Sequence, residues 1–147
     1  SFFLFILEQI NKGVNYMSIF FKVKKLNLPF GEYAVFGSGV LEAHNIRKAK
    51  DIDFIITKNL FQKLKNSGWT ESKYNDKIIE FNGFQALHDW SYKEYKPNTN
   101  ELIKNADIIN GIPFVQLQEV YKFKKAMGRP KDLVDLKLIE KYLKYRK

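Results

Sequence analysis

Two aspartates, Asp51 and Asp53, open an apolar segment, residues 51–57, that is rich in β-branched and aromatic residues. Because side chains alternate along a β-strand, both carboxylates are expected on one face, with Cα atoms roughly 7 Å apart. Two like charges side by side on a buried strand are costly unless a cation lies between them. Carboxylate oxygens suit Mg²⁺, which keeps several waters and also binds substrate phosphates. The pair therefore predicts a site for Mg²⁺, with Mn²⁺ as the alternative ion.

The segment Gly37-Ser38-Gly39 lies between an apolar strand, predicted over residues 33–36, and a short predicted helix. Glycine allows the backbone to approach a ligand closely, and a helix N-terminus offers unpaired N–H groups to phosphate. The Ser38 hydroxyl adds one donor. Either motif alone is common in loops, caps and surface pairs. Their succession along the chain predicts a site that holds a metal and the phosphates of a nucleotide.

The elements that must position these residues alternate between helix and strand. The hydrophobic pattern predicts helices over residues 18–26, 59–67, 100–106, 116–127 and 131–145, in addition to the short helix after Gly39. Hairpins are predicted around Asn75-Asp76 and Asn110-Gly111. Residues 82–100 are expected to form a loop with a short helix. The fold class is therefore mixed α/β (α+β) with a helical C-terminal part, in a single domain spanning residues 17–147.

Two further structural expectations concern the C-terminal half. Pro113 has no N–H to donate, so its strand is expected at an edge of the sheet. The last helix is predicted to place four residues toward the core at helical spacing: Leu133, Leu136, Ile139 and Leu143.

Composition narrows the classes of function. Because the 147 residues include no cysteine, disulfide scaffolds, zinc fingers and thiol nucleophiles are excluded. Lys and Arg outnumber Asp and Glu by 25 to 16, and the charge of +9 favours polyanionic partners such as nucleotides, tRNA or other nucleic acid. The alternative is a genome-wide bias toward lysine, since the lysines are spread along the chain. His44 and His88 are expected to be structural.

Two further predictions concern the cellular location of the protein and the start of its chain. No apolar run approaches the roughly 20 residues of a membrane span, which predicts a cytoplasmic protein with no membrane contact. Residues 1–16 are predicted to be a translated leader or N-terminal extension, because the first methionine is Met17 and the preceding codons would suit a ribosome-binding sequence. The alternative is a genuine N-terminal helix.

Gly37-Ser38 followed by Asp51-x-Asp53 resembles the signature of the DNA polymerase β-type nucleotidyltransferase superfamily. The later pattern K-x-x-x-G-R-x-K-D-x-x-D, residues 124–135, is similar to the tail of small bacterial nucleotidyltransferase-like proteins, including the AbiEii type of toxin. The resemblance covers roughly residues 33–142. It implies a small mixed β-sheet flanked by helices, with two C-terminal helices. It also implies Mg²⁺-dependent transfer of a nucleoside monophosphate from a nucleoside triphosphate to a hydroxyl on RNA, protein or a small molecule.

The resemblance further implies a third carboxylate on a neighbouring strand. Glu80 is the best match, with Asp76 and Asp89 as rivals, and it would join Asp51 and Asp53 as a catalytic residue and metal ligand. Lys124 is implied to neutralise phosphate charge beside Gly37, Ser38 and Gly39, unless it is one solvated lysine among many.

The remaining residues of the tail are predicted to be structural. Lys131 and Asp132 are expected to open the last helix, where the carboxylate of Asp132 complements the helix dipole. An ion pair between Arg129 and Asp135 is expected to join the two C-terminal helices.

A short aromatic and basic stretch has two interpretations, stacking on a nucleic-acid base or packing against the core. It consists of Trp90, Tyr92, Tyr95, Lys93 and Lys96.

Three functions remain open from the sequence. The first is an active nucleotidyltransferase, with a toxin–antitoxin role implied by the AbiEii-like tail and a cognate antitoxin or partner protein as its partner. The second is a non-catalytic module of the same fold that binds nucleotide or RNA. The third is a subunit that needs a partner chain to complete its site.

Overall fold

The computed structural model describes Phe3, Leu4 and residues 18–146. The prediction that residues 1–16 form a leader or extension therefore lies outside the described residues, apart from Phe3 and Leu4. In the described part of the chain, no helix has the length and apolar character needed to cross a membrane.

Six helices and seven strands follow one another between residues 19 and 145. The helices are α1 (Ile19–Leu26), α2 (Ser38–Ala43), α3 (Lys58–Asn66), α4 (Thr99–Lys104), α5 (Leu117–Met127) and α6 (Pro130–Tyr145). The strands are β1 (Tyr33–Phe36), β2 (Ile52–Ile56), β3 (Thr70–Glu71), β4 (Ile79–Phe81), β5 (Phe84–Leu87), β6 (Asp107–Ile109) and β7 (Ile112–Phe114).

The strands form one mixed sheet in the order β3-β4-β5-β2-β1-β7-β6. β1 pairs antiparallel with β2 and parallel with β7, whereas β2 pairs parallel with β5. Helices flank this sheet, and α5 packs against α6 at the C-terminal end of the chain. The predicted fold class, a small mixed sheet flanked by helices with two C-terminal helices, is confirmed.

The two central strands are buried because they are almost entirely apolar. All four residues of β1 are buried, and four of the five residues of β2 are buried, with Asp53 the exception. Phe36 stacks on Trp90 at 4.6 Å between ring centroids and meets Phe123 of α5 edge-on at 5.3 Å. This aromatic cluster holds α5 against the end of β1, where the Gly-Ser segment begins.

The structure differs most from the predicted elements in the region after β4. Residues 84–87 form β5, an interior strand beside β2, where a loop was expected. Asn82 and Gly83 both have positive φ and join β4 to β5 as a two-residue hairpin turn. The predicted hairpin around Asn75-Asp76 is confirmed, with Thr70 opposite Glu80.

The prediction that Pro113 lies in an edge strand is wrong, because β7 lies between β1 and β6. Phe114 is the residue of β7 that pairs with β1, and the Val115 N–H donates to the Val35 carbonyl at 2.9 Å. The parallel pairing thus begins after Pro113, so the absent N–H falls where β1 needs no donor.

The predicted core face of α6 is partly wrong. Ile139 is fully buried, but Leu133 and Leu143 are 53% and 46% exposed. The helix instead turns Asp132 and Asp135 inward, at 0% and 2% exposure. Ion pairs with Arg47, Lys124 and Arg129, described below, make this orientation possible.

Candidate functional site

A cavity of about 470 Å³ opens where β1 meets α2 and β2 begins. Such a volume falls within the range of small-molecule sites. Five residues predicted to form the site line this cavity: Gly37, Ser38, Asp51, Asp53 and Lys124. Other polar residues of the lining include Arg47, Lys50, Gln85, Asp89, Arg129, Lys131 and Asp135.

Asp53 is the polar residue within the buried strand β2. It lies opposite Phe36 of β1, while Asp51 is exposed just before the strand. The Asp53 Oδ1 atom is shielded from solvent and has no hydrogen-bond partner among the described residues. A buried carboxylate oxygen without a donor is uncommon, because desolvation is expensive unless something compensates for it. A divalent cation is a group of suitable charge to do so.

Gly37 brings the backbone close to this carboxylate. Its φ is +66°, and a Cβ atom built there would lie 3.2 Å from Asp53 Oδ2. A side chain at this position would therefore be strained and would crowd the aspartate. The absence of one lets the backbone at residue 37 pass close to Asp53.

The electrostatic surroundings of Asp53 favour its neutral form. Burial and the nearby charge of Asp51 raise its pKa to about 6, although Lys124, Lys131 and Arg129 act in the opposite direction. Carboxylate oxygens suit Mg²⁺ or Mn²⁺, and the orphaned Oδ1 marks where positive charge is missing. Asp51 and Asp53 therefore fit a divalent metal.

Arg47 is a residue of the site that the sequence reasoning missed. Its guanidinium forms a bidentate pair with Asp135 of α6, through Nε at 2.6 Å and Nη2 at 2.7 Å. The same Nη2 donates to Ser38 Oγ at 2.8 Å. Because the Ser38 oxygen accepts this bond, its hydroxyl proton is available to another acceptor in the cavity.

Lys124 is buried and ion-paired rather than solvated. Its Nζ lies 2.9 Å from Asp135 Oδ2 and 3.7 Å from Asp132 Oδ1. Burial raises the pKa of Asp135, but the hydrogen bonds from Arg47 and Lys124 outweigh it and leave that pKa below its ordinary value. The two aspartates thus fix Lys124 at the cavity wall.

The predicted ion pair between Arg129 and Asp135 is wrong. Arg129 pairs with Asp132 instead, donating from Nε at 2.6 Å and from its backbone N–H at 3.1 Å. Asp132 thereby fixes the first turn of α6, as expected for a carboxylate near a helix start. Asp135 is already occupied by Arg47 and Lys124.

Glu80 does not line the cavity. In the sheet, Asp53 lies opposite Gln85 of β5, and Gln85 lies opposite Glu80 of β4. The Gln85 Nε2 donates to Glu80 Oε1 at 3.3 Å. Gln85 therefore occupies the place beside Asp53 where a third carboxylate was expected. Within the described residues, no group of three or more His, Cys, Asp or Glu side chains is arranged to hold a metal.

The two alternatives to Glu80 differ in their position relative to the cavity. Asp89 lines the cavity and accepts a hydrogen bond from the Ser91 N–H at 2.9 Å. Asp76 is exposed in the turn between β3 and β4 and is not among the lining residues.

Gly39 lies behind the site rather than in it. A Cβ atom there would lie 2.6 Å from both Ile19 Cδ1 and Val35 Cγ1. This glycine is therefore required by the packing of α2 against α1 and β1, and it is not part of the cavity lining.

The aromatic stretch divides between the core and the surface. The Trp90 Nε1 donates to the Phe54 carbonyl at 3.1 Å, and the Tyr95 hydroxyl donates to Glu119 at 2.9 Å. Tyr95 thus follows the packing interpretation, whereas Trp90 packs against the core and also lines the cavity. Tyr92 is 40% exposed and lines the cavity.

Each of the two histidines contacts an aromatic side chain. His44 Nδ1 lies 3.3 Å from the Tyr142 hydroxyl, and the His88 ring meets Phe61 edge-on at 5.0 Å.

Comparisons of the chain with protein-family models, with curated proteins and with solved structures found no match. The resemblance to nucleotidyltransferases therefore stays a prediction from the motifs quoted above.

Proposed function

We propose that this chain is a nucleotidyltransferase that binds a nucleoside triphosphate with Mg²⁺, or Mn²⁺, and transfers the nucleoside monophosphate to a hydroxyl. The observation that carries the proposal is Asp53, a half-buried carboxylate whose shielded Oδ1 has no partner among the described residues and whose Oδ2 lies close to Gly37, in a cavity that Ser38 also lines. Burial and the charge of Asp51 raise its pKa to about 6, and Lys124, Lys131 and Arg129 offset only part of that rise. Perturbed carboxylates in cavities are typical of functional sites.

Each residue of the cavity has a part in this proposal. Asp51 and Asp53 would hold the cation, which when bound offsets the charge of the phosphates and of the leaving pyrophosphate. The N–H groups at the start of α2 and the Ser38 hydroxyl donate to phosphate oxygens. Lys50 and Lys131 line the cavity, and neither makes an ion pair with another described residue. They are available to the polyphosphate.

The acceptor and the biological role are proposed from the net charge and from the sequence resemblance. The net charge of +9 favours tRNA or another nucleic acid, whose binding would weaken steeply with salt. The AbiEii-like tail supports a toxin–antitoxin role, with a cognate antitoxin as partner. A cytoplasmic location accords with a nucleoside triphosphate substrate.

A second candidate function is a non-catalytic module that binds a nucleotide or RNA. The observation that favours it is Gln85, an amide in the place beside Asp53 where the resemblance implies a third carboxylate. In that case the cavity would hold a nucleotide and its metal without transferring a phosphoryl group.

Turnover with labelled substrate separates the two candidates. The protein is incubated with each α-labelled nucleoside triphosphate and Mg²⁺, with and without bulk tRNA, and pyrophosphate release is followed in parallel. The matched control is Asp51→Asn/Asp53→Asn. Label transfer or pyrophosphate release by the wild type alone supports the transferase. Binding without turnover supports the module. Equal binding by both proteins without turnover contradicts the transferase and the metal site, and leaves a module that binds nucleotide without these carboxylates.

A further inference from the structure

A row of three polar side chains crosses the sheet at the cavity. The register places Asp53 of β2 opposite Gln85 of β5, and Gln85 opposite Glu80 of β4. Residues directly opposite one another on neighbouring strands project to the same face of a sheet. The three side chains therefore stand side by side, and Gln85 is the middle one. Gln85 and Asp53 line the cavity, whereas Glu80 does not.

Glu80 fixes the orientation of the Gln85 amide. A carboxylate accepts hydrogen bonds and donates none, so the amide group that faces Glu80 must be the NH₂. The Gln85 Nε2 does donate to Glu80 Oε1, at 3.3 Å. The amide oxygen, Oε1, is on the other branch of the amide and is directed away from Glu80.

The surroundings of Asp53 agree with this orientation. If the Gln85 amide were flipped, its NH₂ could donate to Asp53 from the adjacent strand. Yet Asp53 Oδ1 is buried and has no hydrogen-bond partner among the described residues. Asp53 and Gln85 are partners on adjacent strands and both line the cavity, so an amide oxygen turned away from Glu80 lies on the Asp53 side. A cation between the carboxylate and the amide oxygen would be favourable for both acceptors.

We propose that Gln85 Oε1 is a third oxygen ligand of the metal site, beside Asp51 and Asp53, and that Glu80 is a positioning residue that sets its orientation. The inference rests on the proposed function, because it concerns the same cation. Carbonyl oxygens are accepted ligands of Mg²⁺, Mn²⁺ and Ca²⁺. The assignment also gives a role to Glu80, which lies outside the cavity on the strand next to Gln85.

Mn²⁺ alone is the probe, and the free ion is followed by electron paramagnetic resonance as protein is titrated in, without nucleotide. In Glu80→Gln, residue 80 can donate as well as accept, so Gln85 is free to turn its NH₂ toward Asp53. Loss of such an outer contact typically weakens metal binding about tenfold to a hundredfold, and we expect a change of this size. Gln85→Leu, which removes the oxygen, should weaken binding at least as much.

The exchange Glu80→Gln/Gln85→Glu is the decisive variant. The new amide at position 80 can donate to the new carboxylate at position 85, whose second oxygen then serves the cation. We expect Mn²⁺ affinity at least equal to that of the wild type. The matched control is Glu71→Gln on β3, one strand beyond Glu80, where the same loss of charge should change affinity by less than about twofold. Thermal unfolding of each variant establishes that it is folded.

The outcomes separate this inference from the function on which it rests. Weak binding by Glu80→Gln that the exchange restores supports the inference. Wild-type affinity in both Glu80→Gln and Gln85→Leu, with binding lost in Asp53→Asn, overturns the inference and leaves the metal site standing. An exchange variant as weak as Glu80→Gln overturns it as well. Equal Mn²⁺ binding by Asp53→Asn and the wild type overturns both.

Discussion

Replacing Asp53 with asparagine is expected to stabilise the protein at neutral pH. Burial and the charge of Asp51 raise the pKa of Asp53 from 3.8 to about 6. The folded state thus holds this proton more tightly than the unfolded state, and stability falls as pH rises between these two values. Above that window, the ionised carboxylate costs about 3 kcal/mol, since one pKa unit corresponds to 1.36 kcal/mol. Asparagine has nearly the same shape and carries no charge.

The assay is urea unfolding, followed by circular dichroism, in buffers without divalent metal. We expect Asp53→Asn to exceed the wild type in free energy of unfolding by up to about 3 kcal/mol at pH 7.5, and by under about 1 kcal/mol at pH 4. Asp76→Asn, in the exposed turn before β4, is the matched control and should stay within about 0.5 kcal/mol of the wild type. A gain that is absent at pH 7.5, or equal at both pH values, would refute the reasoning.

Two further substitutions test the parts that hold the site. Asp135→Asn leaves the buried Lys124 without its nearest carboxylate, so urea unfolding should show a loss of about 3 kcal/mol, and a loss below about 1 kcal/mol would argue against the network. Gly39→Ala places a Cβ atom 2.6 Å from Ile19 and Val35, so it should cost about 1–3 kcal/mol. Nucleotide binding per folded Gly39→Ala molecule should be unchanged, and a loss would place that glycine in the site.

The two central strands and the site residues beside them could be predicted from the sequence, because the patterns that indicate them are local. β1 and β2 are short, strongly apolar strands, and the Gly-Ser segment follows directly on the first of them. Period-two alternation predicts Asp51 and Asp53 on one face. In the structure Asp51 lies just before β2, and both aspartates line the cavity with Gly37 and Ser38. The cavity brings these residues together as expected.

β5 was missed because its own residues signal a strand weakly. Phe84-Gln85-Ala86-Leu87 has little β-branched character, and its place in the sheet comes from pairing with β2 and β4. A usable signal did precede it, since Asn82-Gly83 is a pair typical of two-residue hairpins. Without β5 in place, Gln85 could not be recognised as the neighbour of Asp53.

The charged network was missed for a different reason. Arg47 lies 88 residues before Asp135 in the chain, and no local pattern indicates that the two meet. Lys124 and Asp135 belong to one motif, but the sequence alone does not show that their side chains pair. Hydrophobic periodicity counts only apolar residues, so it predicted Leu133 inward on α6. Ion pairing instead makes it favourable to bury Asp132 and Asp135 on that helix.

The most direct test of the central claim is calorimetric titration of a nucleoside triphosphate whose α,β-bridge cannot be cleaved, with and without Mg²⁺. We predict Mg²⁺-dependent binding to the wild type that Asp53→Asn loses, while the control Asp76→Asn retains it. Because the pKa of Asp53 lies near 6, the Mg²⁺-dependent part should also weaken below that pH. Equal binding by the wild type and Asp53→Asn, or binding that ignores Mg²⁺, would contradict the claim that these carboxylates hold a metal for a nucleotide.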